Sequence, residues 1–428
     1  MIALLVFLVS LFFFILLGVP IFMSLGLSSL TIWLWHFGSL EPSILLQKMF
    51  IGLDSFPLMA IPFFMLAGEL MNTGGVSRRL VSFSQSLIGW VRGGLGFAVV
   101  IACMFMAAIL GSASATAAMI GIVMIPAMAE RGYNRDFSSA LIASAGSIGP
   151  IIPPSIPFII YGVIGEVSIA KLFVAGYIPG IMMGLAFMIY TFFYAKKHNY
   201  LAGKFPTLKE LWVSFREAIL TLLLPVIIMG GILGGIFTPT EAAVVAVVYA
   251  FIVGAFIYRE IKIKDIPQIF LRAANSTAMV LMVMATATLL SWVLTLEQIP
   301  QLVTSGMLSI SSSPVIFLLV VNAFMIIVGM FLDAVSALTI LTPVLLPAAK
   351  ALQIDPVLFG VLLAVNLSIG VLTPPVGLNL YVTSSIAKIS LVQISKAVMP
   401  FIYLIVIALL IMIFFPATVT YLPSILIK

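Results

Sequence analysis

The sequence predicts an all-α polytopic membrane protein, built from two pseudo-symmetric repeats that contain discontinuous helices. Three observations carry this. Of the 428 residues, 63% are hydrophobic and only 8% are charged, against about 25% charged in an ordinary soluble domain. Uncharged stretches recur at bilayer-spanning length. And the chain repeats itself at a fixed offset of 221 residues, the separation of Ser147 and Ser368.

The first observation excludes whole classes of function. With a mean hydropathy of +1.29, a soluble fold could not cover its apolar surface with a charged exterior. A soluble enzyme, a nucleic-acid binder and a disordered scaffold are therefore ruled out. The 20 Lys+Arg against 14 Asp+Glu give a net charge of +6, which in a membrane protein reads as cytoplasmic loop charge. Lone Cys103 cannot form an internal disulfide. The first 17 residues lack a basic n-region and a small-residue cleavage site, so they read as a permanent span, with an outside N-terminus.

The elements follow from the uncharged stretches. A spanning helix needs roughly 20 apolar residues to cross about 30 Å. Stretches free of Asp, Glu, Lys and Arg lie at 1–40, 93–129, 137–165, 172–195, 218–240, 242–258, 273–296, 298–332, 356–387 and 397–427. Residues 93–129 would extend about 55 Å as one straight helix, and 298–332 nearly as far. Each is expected to hold two spans or a re-entrant hairpin. The first has a small, polar centre, Gly111, Ser112, Ala113, Ser114, Ala115 and Thr116, a composition tolerated at membrane depth only inside protein or beside a cavity. Its counterpart in the second half is 329–336, from Gly329 through Asp333 to Ser336. The polar segment 196–216, with Lys196, Lys197, Lys204, Lys209 and Arg216, is placed in the cytoplasm and divides the halves.

The repeat supplies the symmetry. The offset pairs Ala113 with Ala334, Pro126 with Pro347, Leu141 with Leu362 and Pro179 with Pro400. It also lays Ser147-Ile148-Gly149 on Ser368-Ile369-Gly370, and Pro153-Pro154 on Pro374-Pro375. Repeats of this kind mark transporters whose site lies at the repeat interface, formed by discontinuous helices. An odd number of crossings per half would make the repeats inverted.

Two prolines after a glycine force an unwound segment, because proline removes a backbone donor and clashes with the preceding turn. The freed carbonyls need partners, and a sodium ion is a suitable one. Ser112, Ser114, Thr116, Ser147 and Ser155 add hydroxyls in the first half; Ser336, Thr339, Ser368 and Thr373 do so in the second. Helix N-termini at the breaks carry partial positive charge and suit an anionic substrate. Alternatively, the small residues only permit close helix packing.

These residues resemble the large membrane subunit of TRAP (tripartite ATP-independent periplasmic) transporters, the DctM-like subunit. The likeness rests on GSASATAAMIGIVMIPAMAERGY at 111–133, ASAGSIGPIIPPSIPFIIYG at 143–162, GGIFTPTEAAVVAVVYA at 234–250, GMFLDAVSALTILTPVLLP at 329–347 and LSIGVLTPPVGLNLYVTS at 367–384. The resemblance implies an elevator-type ion-transporter fold in a bacterial inner membrane, with a scaffold and a moving core. It implies sodium-driven uptake of an organic acid such as sialic acid or a C4-dicarboxylate. It implies two partners, a small four-helix membrane subunit and a periplasmic substrate-binding protein. The small subunit is expected on a separate chain, since the two halves and two leading spans use up the sequence.

The implied organisation places leading scaffold spans and an interfacial helix in 1–92. A first transport core occupies 93–195, with hairpin 93–130, broken helix 137–165 and span 172–195. After the cytoplasmic linker 196–216, scaffold spans and a second interfacial helix fill 217–313. The second core occupies 314–428, with hairpin 314–350, broken helix 356–387 and span 397–415. The candidate substrate and ion site is Gly111, Ser112, Ser114, Thr116, Ser147, Gly149, Pro150, Pro153, Pro154 and Ser155 in the first half. Gly329, Asp333, Ser336, Ser368, Gly370, Thr373, Pro374, Pro375 and Asn379 complete it in the second. Sodium is expected at Ser112, Ser114, Gly149 and Pro150, and at Gly329, Asp333, Gly370 and Thr373.

Among ionisable residues, Asp333 is a functional candidate, as an acid at membrane depth, and also a good helix N-cap. Its counterpart is Ser112, so the repeat is chemically unequal there. Glu241 after Thr238-Pro239-Thr240 reads as a helix N-terminus. Asp54 and Glu69 read as acids near the ends of a kinked scaffold span, and Asn379 as a holder of freed backbone or of a ligand. Arg78, Arg79, Arg92, Arg131 and Arg135 read as interfacial anchors, and His36 and His198 as interfacial. No nucleophile–base arrangement and no metal-ligand cluster appears, so the chain is not expected to be an enzyme. The second reading is a stand-alone sodium- or proton-coupled anion carrier of related fold without partner proteins. A channel would need a continuous polar pore lining instead of short central breaks.

Overall fold

The computed structural model describes residues 2–36, 41–310 and 312–427, and among them only helices and loops occur. The first half contains α1 (Ile2–Leu16), α2 (Ile21–His36), α3 (Ser43–Ile51), α4 (Ala60–Thr73), α5 (Val76–Ile88), α6 (Gly94–Leu110), α7 (Ala113–Glu130), α8 (Arg135–Gly146), α9 (Ile156–Gly165), α10 (Ile169–Ala175) and α11 (Tyr177–Lys197). The second contains α12 (Leu208–Leu233), α13 (Pro239–Ile252), α14 (Ile266–Leu296), α15 (Ile299–Ile310), α16 (Pro314–Gly329), α17 (Ala334–Ala351), α18 (Pro356–Gly370), α19 (Leu378–Ala387), α20 (Leu391–Phe414) and α21 (Ala417–Leu426). Eight helical stretches among the described residues are long and apolar enough to cross a membrane. Bulky apolar side chains such as Phe12, Phe13, Val226 and Phe270 are exposed, as lipid-facing positions are.

The offset seen in the sequence is also an offset of structure. Moving α7 by 221 residues lands on the bounds of α17, and moving α9 lands within one residue of α19. Packing is crosswise: α2 lies on α14 while its counterpart α13 lies on α4, and α7 lies on α19 while α17 lies on α9. Each hairpin's second arm thus holds the broken helix of the other repeat. At the centre, α8 and α18 are buried along almost their whole length, from Phe137 to Gly146 and from Val357 to Gly370. Lipid is as apolar as leucine, so this packing depends on shape, and small residues let helices approach. A Cβ on Gly96, for instance, would stand 2.5 Å from Cγ2 of Thr191.

The halves differ in one scaffold element. The counterparts of α3 and α4, 264–272 and 281–294, are joined in the second half by a single helix, α14, which is 31 residues long and takes up all but the first two of those residues. Gly52 and Pro57 interrupt the first half; Ala273 and Ala278 stand at those positions in the second, and alanine lets the helix continue.

Several expected boundaries shift, three of them because of a cap. The linker ends before Leu208, not at 216: Thr207 and Glu210 form a capping box, so Lys209 and Arg216 ride on α12. The span expected at 397–415 begins at Leu391, where Ser390 and Gln393 form another box. The broken helix begins at Arg135, two residues before the expected 137, because the Asn134 side chain accepts from the N–H groups of Asp136 and Phe137. The span expected at 172–195 is two helices, α10 and α11, meeting at Gly176. The uncharged stretch 298–332 contains α15 and α16, and the hairpin expected at 314–350 is α16 and α17. Glu241 caps as expected, in a box with Thr238 at the start of α13.

Candidate functional site

Each half presents a hairpin tip to a helix break, and the contact is backbone on backbone. In the first half α6 ends at Leu110 and α7 starts at Ala113, so two residues make the turn. Gly111 takes φ +59°, and a Cβ there would stand 2.7 Å from the carbonyl oxygen of Pro154. A Cβ on Gly149 would stand 2.7 Å from the carbonyl oxygen of Ser112. In the second half the equivalent glycine, Gly370, meets the other tip: its Cβ would stand 2.3 Å from the carbonyl oxygen of Gly329. Both glycines are therefore required by close approach. The prolines lie in the breaks as expected, and both Pro153–Pro154 and Pro374–Pro375 are cis.

Most of the candidate hydroxyls are committed locally. Thr116 donates to the carbonyl of Ser112 at 2.8 Å, Ser147 to Ser144 at 2.7 Å, Ser368 to Ala364 at 3.2 Å and Thr373 to Ile369 at 2.7 Å. Ser155 donates to the carbonyl of Pro150 and accepts from the N–H of Phe158 at 3.3 Å. At the tips, Ser112 caps α7, its Oγ accepting from the N–H of Ala115 at 3.5 Å. Asp333 caps α17, one oxygen accepting from Val335 at 3.0 Å and Ser336 at 3.3 Å, the other from the Ser336 hydroxyl. It is at once the cap and an exposed carboxylate at the tip. Asn379 holds backbone: its Nδ2 donates to the carbonyl of Ala143 at 2.8 Å, tying α19 to α8 across the repeats.

Between the tips lies a cavity of about 320 Å³, within the size range of small-ligand sites. Gly111, Ser112, Ser114, Pro150 and Asp333 line it, so five sequence-derived candidates meet there from both halves. Ala113, Ile156, Ala334 and Leu378 bring the first turns of α7, α9, α17 and α19 to the same space. Four helix N-termini converge, and their partial charges favour an anion. The remaining candidates, including Thr116, Ser147, Ser155, Ser368, Thr373 and Asn379, brace the tips and breaks instead of lining the cavity. A sodium ion prefers oxygen donors, and tip carbonyls, break carbonyls and the Asp333 carboxylate are of that kind.

The opposite wall belongs to the scaffold, and sequence reasoning missed it. Met65 of α4 and Asn275, Ser276, Met279 and Val280 of α14 complete the lining. A signal existed: Asn275-Ser276 is a polar pair early in the uncharged stretch 273–296. Glu69, read as an acid near a span end, accepts from Arg272 at 2.7 Å. Arg78 and Arg79, read as anchors, both meet Glu260.

Paired hairpins and broken helices around a central cavity, beside long apolar helices, define a multi-pass membrane-transporter fold. The chain belongs to the family described as "Tripartite ATP-independent periplasmic transporter, DctM component", which matches residues 8–418. It is a transporter component and not an enzyme. It is 44% identical over 405 residues to the isethionate TRAP transporter permease protein DctMQ of Oleidesulfovibrio alaskensis, covering 94% of this chain and 64% of that one. The chain thus spans less than two thirds of that relative's length. It is 41% identical over 429 residues to the C4-dicarboxylate TRAP transporter large permease protein DctM of Vibrio cholerae, covering 96% and 95%. Among solved structures, the Alcanivorax borkumensis YdaH transporter matches with a TM-score of 0.65 at 16% identity, covering 86% of each chain; this likeness concerns the fold alone.

Proposed function

We propose that this chain is the large permease subunit of a tripartite system that moves an organic anion across the bacterial inner membrane, driven by a sodium gradient. The observation that carries this is the cavity where both tips, both breaks and four helix N-termini meet, with one carboxylate, Asp333. The helix ends draw the anion. Sodium ions at the tip–break contacts offset its charge and draw the tips onto the breaks. The core then slides along α4 and α14 as an elevator. Isethionate and C4-dicarboxylates, named for two relatives, are both small organic anions and fit a cavity of this size; sialic acid is the larger candidate. A small four-helix membrane subunit and a periplasmic binding protein complete the system.

Uptake into proteoliposomes tests the reading. The chain is reconstituted alone and with its candidate partners, and labelled succinate, isethionate and sialic acid are offered with and without a sodium gradient. Sodium-dependent uptake only with the partners is the expected result. Uptake by the chain alone would replace the tripartite reading with a stand-alone carrier, and uptake indifferent to sodium would remove the coupling ion.

A further inference from the structure

The cavity lining contains one carboxylate and, among the described residues, no Lys or Arg. An organic anion in it meets only partial positive charges from the chain itself. One turn away stands a full one. Arg272 precedes Asn275 and Ser276 by three and four residues on α14, a spacing that puts all three on one face. On α4, Glu69 follows the cavity residue Met65 by four. The two stripes run antiparallel, and just past the cavity they are joined: Arg272 Nε donates to Glu69 at 2.7 Å and Nη2 to Thr73 at 3.2 Å.

Two features separate this pair from a simple brace. It is not sealed, since the Arg272 and Glu69 side chains are 41% and 25% exposed. And the repeat does not require it. The offset carries Glu69 to Leu290 and Ile51 to Arg272, so the symmetry-related positions, on α3 and the far end of α14, are apolar where this pair is ionic. The ionic end is also the basic end of the scaffold, close to Arg78, Arg79 and Glu260, which the positive-inside rule assigns to the cytoplasm.

We infer that Arg272 is a substrate-recognition residue of the cytoplasmic release path, engaged by exchange of carboxylates. The inference rests on the proposed transport of an organic anion. A carboxylate or sulfonate leaving the cavity takes the place of Glu69 on the guanidinium, whose flat fork fits such groups in a bidentate manner. Glu69 then returns and displaces the anion into the cytoplasm. The exchange trades one charged pair for another, so the anion is guided without being trapped.

The test is sodium-driven uptake of labelled succinate and isethionate by the reconstituted system with Arg272→Gln, Arg272→Lys and Glu69→Gln. Arg272→Gln is expected to raise the half-saturating substrate concentration about tenfold, the weight of one charge-assisted hydrogen-bonded pair, with Arg272→Lys in between. Glu69→Gln is expected to move it the other way, several-fold lower, with a lower maximal rate because the anion leaves slowly. Thermal unfolding in detergent reports any loss of fold, and Thr73→Val serves as a milder variant, lowering the half-saturating concentration slightly by loosening the guanidinium. A brace would make both charge variants lose rate and stability together, without opposite shifts in half-saturation, and that result overturns the assignment. If wild-type protein takes up neither anion, the proposed function fails, and this inference with it.

Discussion

The two helix breaks occupy equivalent places in the repeat, yet they live in different surroundings. Residues 147–155 are buried throughout, whereas in the equivalent 368–376 Val371 and the stretch Thr373 to Val376 are not, Pro375 and Val376 being exposed. The cause is the next helix. At the α10–α11 junction Gly176 and Gly180 press on the first break; a Cβ on Gly176 would stand 2.1 Å from the carbonyl oxygen of Ile151, and one on Gly180 would stand 2.4 Å from the Ile152 side chain. Ala397 and Phe401 hold the corresponding positions in the second half, on a continuous helix α20 whose Phe401 packs among Phe137, Phe187 and Tyr190 instead. The tips differ in the same sense. The first turns in two residues and carries a neutral Ser112; the second takes four, ends in Asp333 and is exposed. Duplication kept the backbone plan, while charge and accessibility gathered in the second half. The first half therefore gives the cavity its sealed side and the second the side that carries charge.

Four experiments would break or sharpen that contrast. Asp333→Ala has the largest expected effect, a loss of uptake of about 100-fold or more, as befits an acid at membrane depth. Asp333→Asn keeps the cap of α17, so equal loss there, with unchanged thermal unfolding, assigns the effect to charge; normal uptake by Asp333→Asn would remove the charge from the mechanism, and normal uptake by Asp333→Ala would remove Asp333 from the site. Next comes Gly176→Ala, where the added carbon meets backbone: it should cost about 1–3 kcal/mol or more of stability. Ala397→Gly in the second half should cost only about 1 kcal/mol, the helix-propensity difference. Equal costs would mean that the sealing of the first break is not what separates the halves.

Ser112→Ala combined with Ser114→Ala should raise the sodium concentration for half-maximal uptake about three- to tenfold, because the proposed sodium site would lose one or two weak oxygen ligands. Unchanged sodium dependence would take the ion away from the first tip. The smallest effect is expected at Thr238→Ala, remote from both breaks. Loss of the α13 cap should lower stability by about 1 kcal/mol and leave the uptake rate as it was; a clear fall in rate would show that the scaffold cap contributes to transport.

Much of this architecture was legible in the residues. Ser-Ile-Gly and Pro-Pro in register located both breaks, because proline and glycine act on the backbone wherever they stand. The small residues at 111–116 located the first hairpin tip for the same reason. Thr-Pro-Thr-Glu at 238–241 announced its own helix start. Helix starts set by a single side chain were less visible, as at Asn134 and Ser390, where a cap competes with hydropathy counted over many residues. Glu69 was legible only as an acid near a span end, because its partner Arg272 lies 203 positions away.

Composition, span lengths, the duplication and the breaks are thus properties of the chain itself, each set by local backbone chemistry or by the need to satisfy peptide groups in a membrane. Tertiary packing decided the rest. It determined which hydroxyls are spent on nearby carbonyls, which break is sealed, and which scaffold residues face the tips. Those outcomes depend on atoms from α4, α7, α14 and α17 meeting within one cavity, and no local pattern contains the distance between residues so far apart along the chain.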